Sequence, residues 1–157
     1  MSIAIAVETP LSDDVRRLVE ALNEAALKLT PREFSHHLTV EQMAGSDMTV
    51  FVARDEGRAV AMGSLRRHPG GVGEVKRMYT MPQYQGRGIG KQILAEIESL
   101  ARRERLNALA LETGNNFDAA LRLYRGAGFE ACDPLLDYPP SPYSAFFRKS
   151  LSIGVPA

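Results

Sequence analysis

Residues Gly86 to Lys91, in the stretch YQGRGIGKQIL, hold three glycines and two cations within six positions. Ile89, Ile93, Leu94, Ile97, Leu100 and Ala101 then trace one face of a helix running from Gly88 to about Glu104. A strand that passes through a short loop into a helix leaves the amides from Gln85 to Gly90 without intrahelical partners. Such amides favour an anion. A phosphate placed there gains about 0.3–1 kcal/mol per charge from the helix dipole, and glycines allow its oxygens close to the backbone. Arg87 and Lys91 add cations at the same spot.

Spacing discriminates among phosphate loops. A Walker A loop needs a glycine five residues before the Gly-Lys pair and Ser or Thr after it, where this chain has Gln85 and Gln92. A dinucleotide fingerprint needs G-x-G-x-x-G, whereas Gly86, Gly88 and Gly90 form G-x-G-x-G and Ile93 stands where a third glycine is required. Both fail. Other reactive side chains are sparse. Cys132 is the single cysteine, so it has no internal disulfide partner and no cysteine companion for a zinc cluster, and it reads as a small hydrophobe. His36 and His37 are adjacent, and neighbours on a helix point about 100° apart, so a shared metal ion is not expected.

The elements that would position these residues follow from periodicity. Ile3 to Glu8 reads as a strand, and TPLSDD supplies a turn with Ser12 as helix N-cap and acids in the first turn. Val15, Leu18, Val19, Leu22, Ala26 and Leu29 give an amphipathic helix that Thr30-Pro31 ends. A short second helix is expected before Gly45. Thr49 to Arg54 and Arg58 to His68 read as a hairpin around Asp55-Glu56-Gly57, and PGGVG as a glycine-rich break before a strand in EVKRMYTM. Ala108 to Thr113 reads as a buried strand and Asp118 to Ala127 as a helix ended by Gly128. Phe129 to Asp133 and Ser144 to Leu151 read as closing strands. Between the last two, PLLDYPPSPY carries too many prolines for regular structure. The order implies a mixed α/β sheet, antiparallel at first and crossing over by helices.

A chain of 157 residues suits one domain spanning 1–157. Lys plus Arg and Asp plus Glu both number 19, so no excess positive field draws nucleic acid or an anionic membrane, and Arg66, Arg67, Arg102, Arg103 and Arg105 read as solvated faces. MSIAIAVETPLSDD lacks a basic leader and no segment approaches the ~20 apolar residues of a membrane span, so a cytoplasmic location is expected.

Gln85-Gly86-Arg87-Gly88-Ile89-Gly90 fits Q/R-x-x-G-x-G/A and resembles the pyrophosphate-binding turn of the GNAT superfamily of N-acetyltransferases. The resemblance extends through EVKRMYTMPQYQGRGIG, with Pro82 in the loop, and through LETG and AALRLYRGAGF, whose Tyr-x-x-x-Gly-Phe ending falls at Tyr124, Gly128 and Phe129. With its LETG stretch and the tail DYPPSPYSAFFRKSL, the chain looks like a small bacterial subgroup. The resemblance implies an α/β (α+β) GNAT acyl-CoA N-acyltransferase fold: a mixed central sheet of about six to seven strands flanked by about four helices.

It also implies transfer of an acetyl group from acetyl-CoA to a primary amine of a small molecule or protein, with no metal. The amides of Gln85, Gly86, Arg87, Gly88, Ile89, Gly90 and Lys91 would bind the CoA pyrophosphate, and the backbone of Met78, Tyr79 and Thr80 would pair with the pantetheine arm. Many relatives carry Asn seven residues before the tyrosine, where this chain has Phe117; Asn116 would substitute. Tyr124 resembles the tyrosine that protonates the CoA sulfur, a task suited to a phenol with pKa about 10. An amine with pKa about 10.4 needs a route for proton loss; Glu74 resembles the base of some members, and Glu112 is the runner-up. His36, Tyr138 and Tyr143 would flank the acceptor. No histidine is placed by sequence to activate Cys132, so direct attack is expected. A homodimer is a common state on base rates. The alternative is a CoA-binding sensor or interaction module that keeps the cradle without turnover; an amine-acetylation panel separates the two.

Overall fold

The computed structural model describes residues 1–34 and 38–151. His36 and His37 lie outside the described residues. The elements are β1 (Ile3–Val7), α1 (Asp13–Leu29), α2 (Val40–Met43), β2 (Met48–Asp55), β3 (Arg58–His68), β4 (Val72–Thr80), α3 (Ile89–Arg103), β5 (Ala108–Gly114), α4 (Asp118–Gly126), β6 (Glu130–Cys132) and β7 (Ser144–Ser150). Short 3-10 turns occupy Arg32–Phe34 and Pro82–Tyr84. Seven strands form one sheet in the order β1-β2-β3-β4-β5-β7-β6. Every neighbouring pair is antiparallel except β4 and β5. This is the mixed sheet that the sequence pattern implies.

Strand alternation divides the core between two faces. Phe51, Leu65, Val75, Leu109, Leu111 and Phe147 pack with Ile93 and Ile97 of α3 and Tyr124 of α4. Val50, Val52 and Met62 point the other way and meet Val15, Leu18 and Val19 of α1 and Met43 of α2. Each fully buried aliphatic or aromatic side chain contributes about 1.5–3 kcal/mol, so both faces must be covered for the sheet to persist.

Two local expectations differ from the structure, and the short helix expected before Gly45 is present. Ser12 sits at the N-cap of α1, but its hydroxyl donates to Asp14 Oδ1 at 3.0 Å and makes no cap to the backbone, so a short acidic neighbour competes successfully for it. The second helix is a single turn: Thr39 and Gln42 form a reciprocal capping box, and Ala44 already ends it. The strand expected to begin near Glu74 begins at Val72, because Gly73 belongs to the β3–β4 ladder. A Cβ on Gly73 would lie 2.6 Å from Leu65 Cδ1 and 2.9 Å from Leu106 Cδ1, so this glycine serves close packing rather than a loop.

Arg67 of β3 ties the sheet to the end of α3. Its Nε and Nη2 meet both oxygens of Glu104 at 2.6 and 2.5 Å, and Nη2 also donates to Thr49 Oγ1. The guanidinium holds the Glu104 carboxyl below its ordinary range. A carboxylate depressed in the folded state stabilises above its unfolded pKa and loses that contribution as pH falls through the folded value. Arg67→Ala is therefore expected to cost up to about 1 kcal/mol at pH 7. Differential scanning calorimetry should show a Tm about 2–4 °C lower for that cost, and the gap should narrow as pH falls below the ordinary carboxylate range and close once Glu104 protonates in the folded state.

Candidate active site

The site begins where two neighbouring strands part. β4 is bonded to β3 out to the pair Ala61–Thr80, and β5 to β7 out to Gly114–Ser144. Between β4 and β5 only Val72–Ala108, Gly73–Leu109 and Glu74–Ala110 are paired. Beyond Glu74 each strand follows its outer neighbour, and the inner edges open as a fork.

A bulge sharpens that departure. Register with β3 slips between Met62 and Ser64, and Arg77 takes φ 58°. This is a left-handed conformation that costs a non-glycine residue about 1–2 kcal/mol. Opposite the bulge stands Gly63, where a Cβ would lie 2.3 Å from Met78 Sδ and 2.7 Å from Ile93 Cγ2. Met78 thus fills the space that Gly63 leaves, which seats β4 against α3.

A cleft of about 570 Å³ passes through the fork. At one end is the turn into α3, with Gly86 at φ 77° and Gly88, the N-cap, at φ 80°. The first helical bond is Gln92 N–H to Gly88 C=O at 3.1 Å, so the amides of Gly88 to Lys91 have no partner within the helix. Gln85 is spent differently. Its amide donates to Pro82 C=O, and its side-chain Nε2 donates to Thr80 C=O at 3.1 Å, so it braces the turn. A Cβ on Gly86 or Gly88 would meet nothing within 4 Å, so both glycines border open space of the kind a phosphate would fill. The residues present fit a pyrophosphate.

Tyr124 lies further in. It is 5% exposed and stacks edge-on against Phe129 at 5.7 Å. Burial raises its phenol well above the ordinary value, so it stays protonated across the neutral range. No donor or acceptor among the described residues meets its hydroxyl, which leaves that group to a ligand. Glu112 of β5 lines the same cleft, its Oε2 accepting from Ser144 Oγ at 2.6 Å.

Most sequence-derived candidates gather in this cleft: Met78, Tyr79, Thr80, Gln85, Gly86, Gly88, Ile89, Gly90, Lys91, Asn116 and Tyr124, with Tyr143 on its wall. Ile89 is 1% exposed and turns its side chain into the core, so only its backbone can serve. Asn116 Nδ2 donates to Leu29 C=O at 3.0 Å, which commits it to holding the end of α1. Arg87 stands outside, exposed, with its guanidinium 5.3 Å from the centre of the Tyr84 ring.

Glu74 is also placed elsewhere. It is 2% exposed and lines a second cavity of about 480 Å³ with His68, Arg66 and Tyr138. Its Oε1 meets His68 Nε2 at 2.8 Å, and its Oε2 accepts from Lys76 Nζ at 3.2 Å and Tyr138 OH at 2.5 Å. Burial first, and then this carboxylate, raise the Tyr138 phenol far above its usual range. Lys76 also donates to the Tyr138 oxygen and lines both cavities, forming the partition between them. Sequence reading missed Lys76 and Arg77, which both border the cleft, and the strand pattern gave no sign of the bulge at Arg77 with its positive φ.

A family model described as the acetyltransferase (GNAT) family matches residues 15–129. The chain belongs to the GNAT family. An Azospirillum brasilense relative named IAA acetyltransferase is 40% identical over 151 residues, which span 96% of this chain and 99% of that one. The crystal structure of a Klebsiella pneumoniae protein, 29% identical, matches with a TM-score of 0.80 over 95% of this chain and 97% of its own. The PaiA N-acetyltransferase of Thermoplasma acidophilum, solved in complex with coenzyme A, shares the fold with a TM-score of 0.71 at 18% identity over 96% of this chain and 99% of its own. As a GNAT member, the chain is an acetyl-CoA-dependent N-acetyltransferase. Among the described residues no cluster suited to a metal is found, and no helix is long and apolar enough to cross a membrane.

The fork makes one demand that stability can report. Gly63→Ala forces Met78 or Ile93 to shift and is expected to cost about 1–3 kcal/mol, read as a lower urea midpoint with an unchanged m-value. Gly57→Ala, where a Cβ meets nothing but φ is 89°, should show the backbone cost alone.

Proposed function

We propose that acetyl transfer takes place in the fork between β4 and β5, by direct attack of the acceptor amine and with no acyl-enzyme. The observation that carries this reading is that one cleft joins the unpartnered amides of the α3 turn to the unpartnered hydroxyl of Tyr124. The amides of Gly86 to Lys91 would hold the pyrophosphate of CoA, and the inner edge of β4 from Met78 to Thr80 would pair with the pantetheine arm as an added strand does. Acetyl-CoA supplies the activated acyl group; the chain positions it and manages protons.

Glu112 shares the cleft with Tyr124, whereas Glu74 lies behind Lys76, and this supports Glu112 as the group that accepts the ammonium proton. The neutral nitrogen forms its bond to the acyl carbon as the carbon–sulfur bond breaks. Tyr124 gives its proton to the departing sulfur, and the second proton lost by nitrogen restores the phenol through water. Glu74 holds Lys76 in the cleft wall. Cys132 is half-buried on β6 at the far edge of the sheet, with its thiol pushed up by burial, so no thiolate nucleophile is offered there.

Kinetics on an amine panel test these roles. Tyr124→Phe is expected to lower kcat by about 100-fold with CoA affinity changed less than about threefold. Glu112→Gln is expected to lower kcat/KM by about 100-fold at pH 7, with Glu74→Gln within about tenfold of the parent. The reverse ranking would move the base to Glu74. Gly88→Val should weaken CoA binding by tenfold or more in calorimetric titration, beyond the roughly 1–2 kcal/mol that left-handed strain costs the fold. Full CoA affinity in a folded Gly88→Val protein would make QGRGIG a turn and nothing more.

A further inference from the structure

The two faces of β5 meet different surroundings. Leu109 and Leu111 pack in the core with α3 and α4, so alternation turns Ala110, Glu112 and Gly114 toward the α1 side. In the β5–β7 ladder Gly114 is opposite Ser144 and Glu112 opposite Phe146, which sets Ser144 diagonal to Glu112 on one face. The bond from Ser144 Oγ to Glu112 Oε2 follows from that register. The other oxygen, Oε1, meets no donor among the described residues, and Glu112 lines the cleft.

Aromatic rings gather beside this carboxylate. A Cβ on Gly114 would lie 2.4 Å from Phe117 Cδ1, so the Phe117 ring takes the place of the missing side chain on the face that carries Glu112. Tyr143 is the chain neighbour of Ser144, and its ring centre is 5.2 Å from that of Phe34. Its backbone is pinned. The Asn115 amide donates to Tyr143 C=O at 2.8 Å, and Asn115 Nδ2 donates to Pro142 C=O at 2.6 Å. Asn116 ties the same β5–α4 loop to the end of α1, after which the turn Arg32–Phe34 brings in Phe34. Phe34, Phe117 and Tyr143 all line the cleft and all are half-buried, so their apolar surface is left for something that enters it.

We infer that the acceptor is a primary amine carrying an aromatic ring a short carbon chain away from its nitrogen, with its ammonium on Glu112 Oε1 and its ring against Phe34, Phe117 and Tyr143. A ring meeting rings offset or edge-on gains more than its buried area alone supplies. An ammonium donating to a carboxylate makes a charge-assisted hydrogen bond, and here the carboxylate is also the group that takes the proton. Tyr124 packs on the α3 side of the sheet, so the amine and the phenol would approach the fork from opposite faces. This inference rests on the acetyl-transfer reading of the cleft and adds the chemical class of the acceptor to it.

Affinity and turnover test the two separately. The protein is saturated with CoA, which first tests the cradle, and is then titrated calorimetrically with 2-phenylethylamine, n-butylamine and 2-phenylethanol. The aromatic amine is expected to bind about tenfold more tightly than either of the others, of which one lacks the ring and one the ammonium. Phe34→Ala should bring 2-phenylethylamine to within about threefold of n-butylamine, while Tyr143→Phe keeps the preference. If Phe34→Ala does not fold, Phe34→Leu, which keeps apolar bulk without a ring, carries the same comparison. Glu112→Gln should weaken both amines by a similar factor and leave 2-phenylethanol as it was. Equal affinity for the two amines in the parent protein, or no binding of any of the three, overturns the inference. So does a Phe34→Ala protein whose Tm or CoA affinity falls while the ratio of the two amines is kept, since the rings would then serve the loop or the cosubstrate. If the aromatic preference holds while no amine is acetylated, the ligand class stands and the failure lies with the transfer chemistry.

Discussion

Parallel pairing between β4 and β5 stops at Glu74 and Ala110, and the rest of the site depends on that stop. Each strand keeps its antiparallel partner on the outer side, β3 for one and β7 for the other, so neither can return to close the gap. Twist accumulates along each pair, and the bulge at Arg77 adds to it. An exposed inner edge is ordinarily a liability, since its amides and carbonyls invite any extended chain. Here that edge borders the cleft, where an extended ligand can pair with it.

Placement of the α3 turn follows from packing on the face opposite α1. Met78 occupies the hole left by Gly63 and touches Ile93, while Ile97 and Ala101 continue the seam under the sheet. The glycine turn is thereby set at the mouth of the fork rather than free on a loop. A second anchor acts from the side: Tyr84 donates to Asp55 Oδ2 at 2.7 Å, tying the approach to the turn to the β2–β3 hairpin. Sites held by packed elements keep their geometry better than sites on unsupported loops.

Much of this was legible in the chain because it depends on local rules. Apolar spacing located α1, α3 and α4, and the counting of glycines at 86, 88 and 90 separated this turn from other phosphate loops. What was not legible depends on distant partners. Glu74 and Glu112 look alike as strand carboxylates, and only the sheet order decides that one is buried behind Lys76 while the other faces the cleft. Gly73 read as part of a loop because the side chains that demand it, Leu65 and Leu106, come from other elements. Gln85 kept its place in the motif but its amide is consumed locally, a detail that hydrogen-bond geometry alone discloses.

The short β4–β5 ladder also divides the sheet mechanically. Strands β1 to β4 form one plate and β5 to β7 another, joined through the hydrogen bonds of three residue pairs at one end. The other tie between the plates is the core beneath α3, which Phe51 and Leu65 of one share with Leu109, Leu111 and Phe147 of the other. A molecule paired along the inner edge of β4 would add a third tie, at the open end of the fork where the ladder supplies no bond.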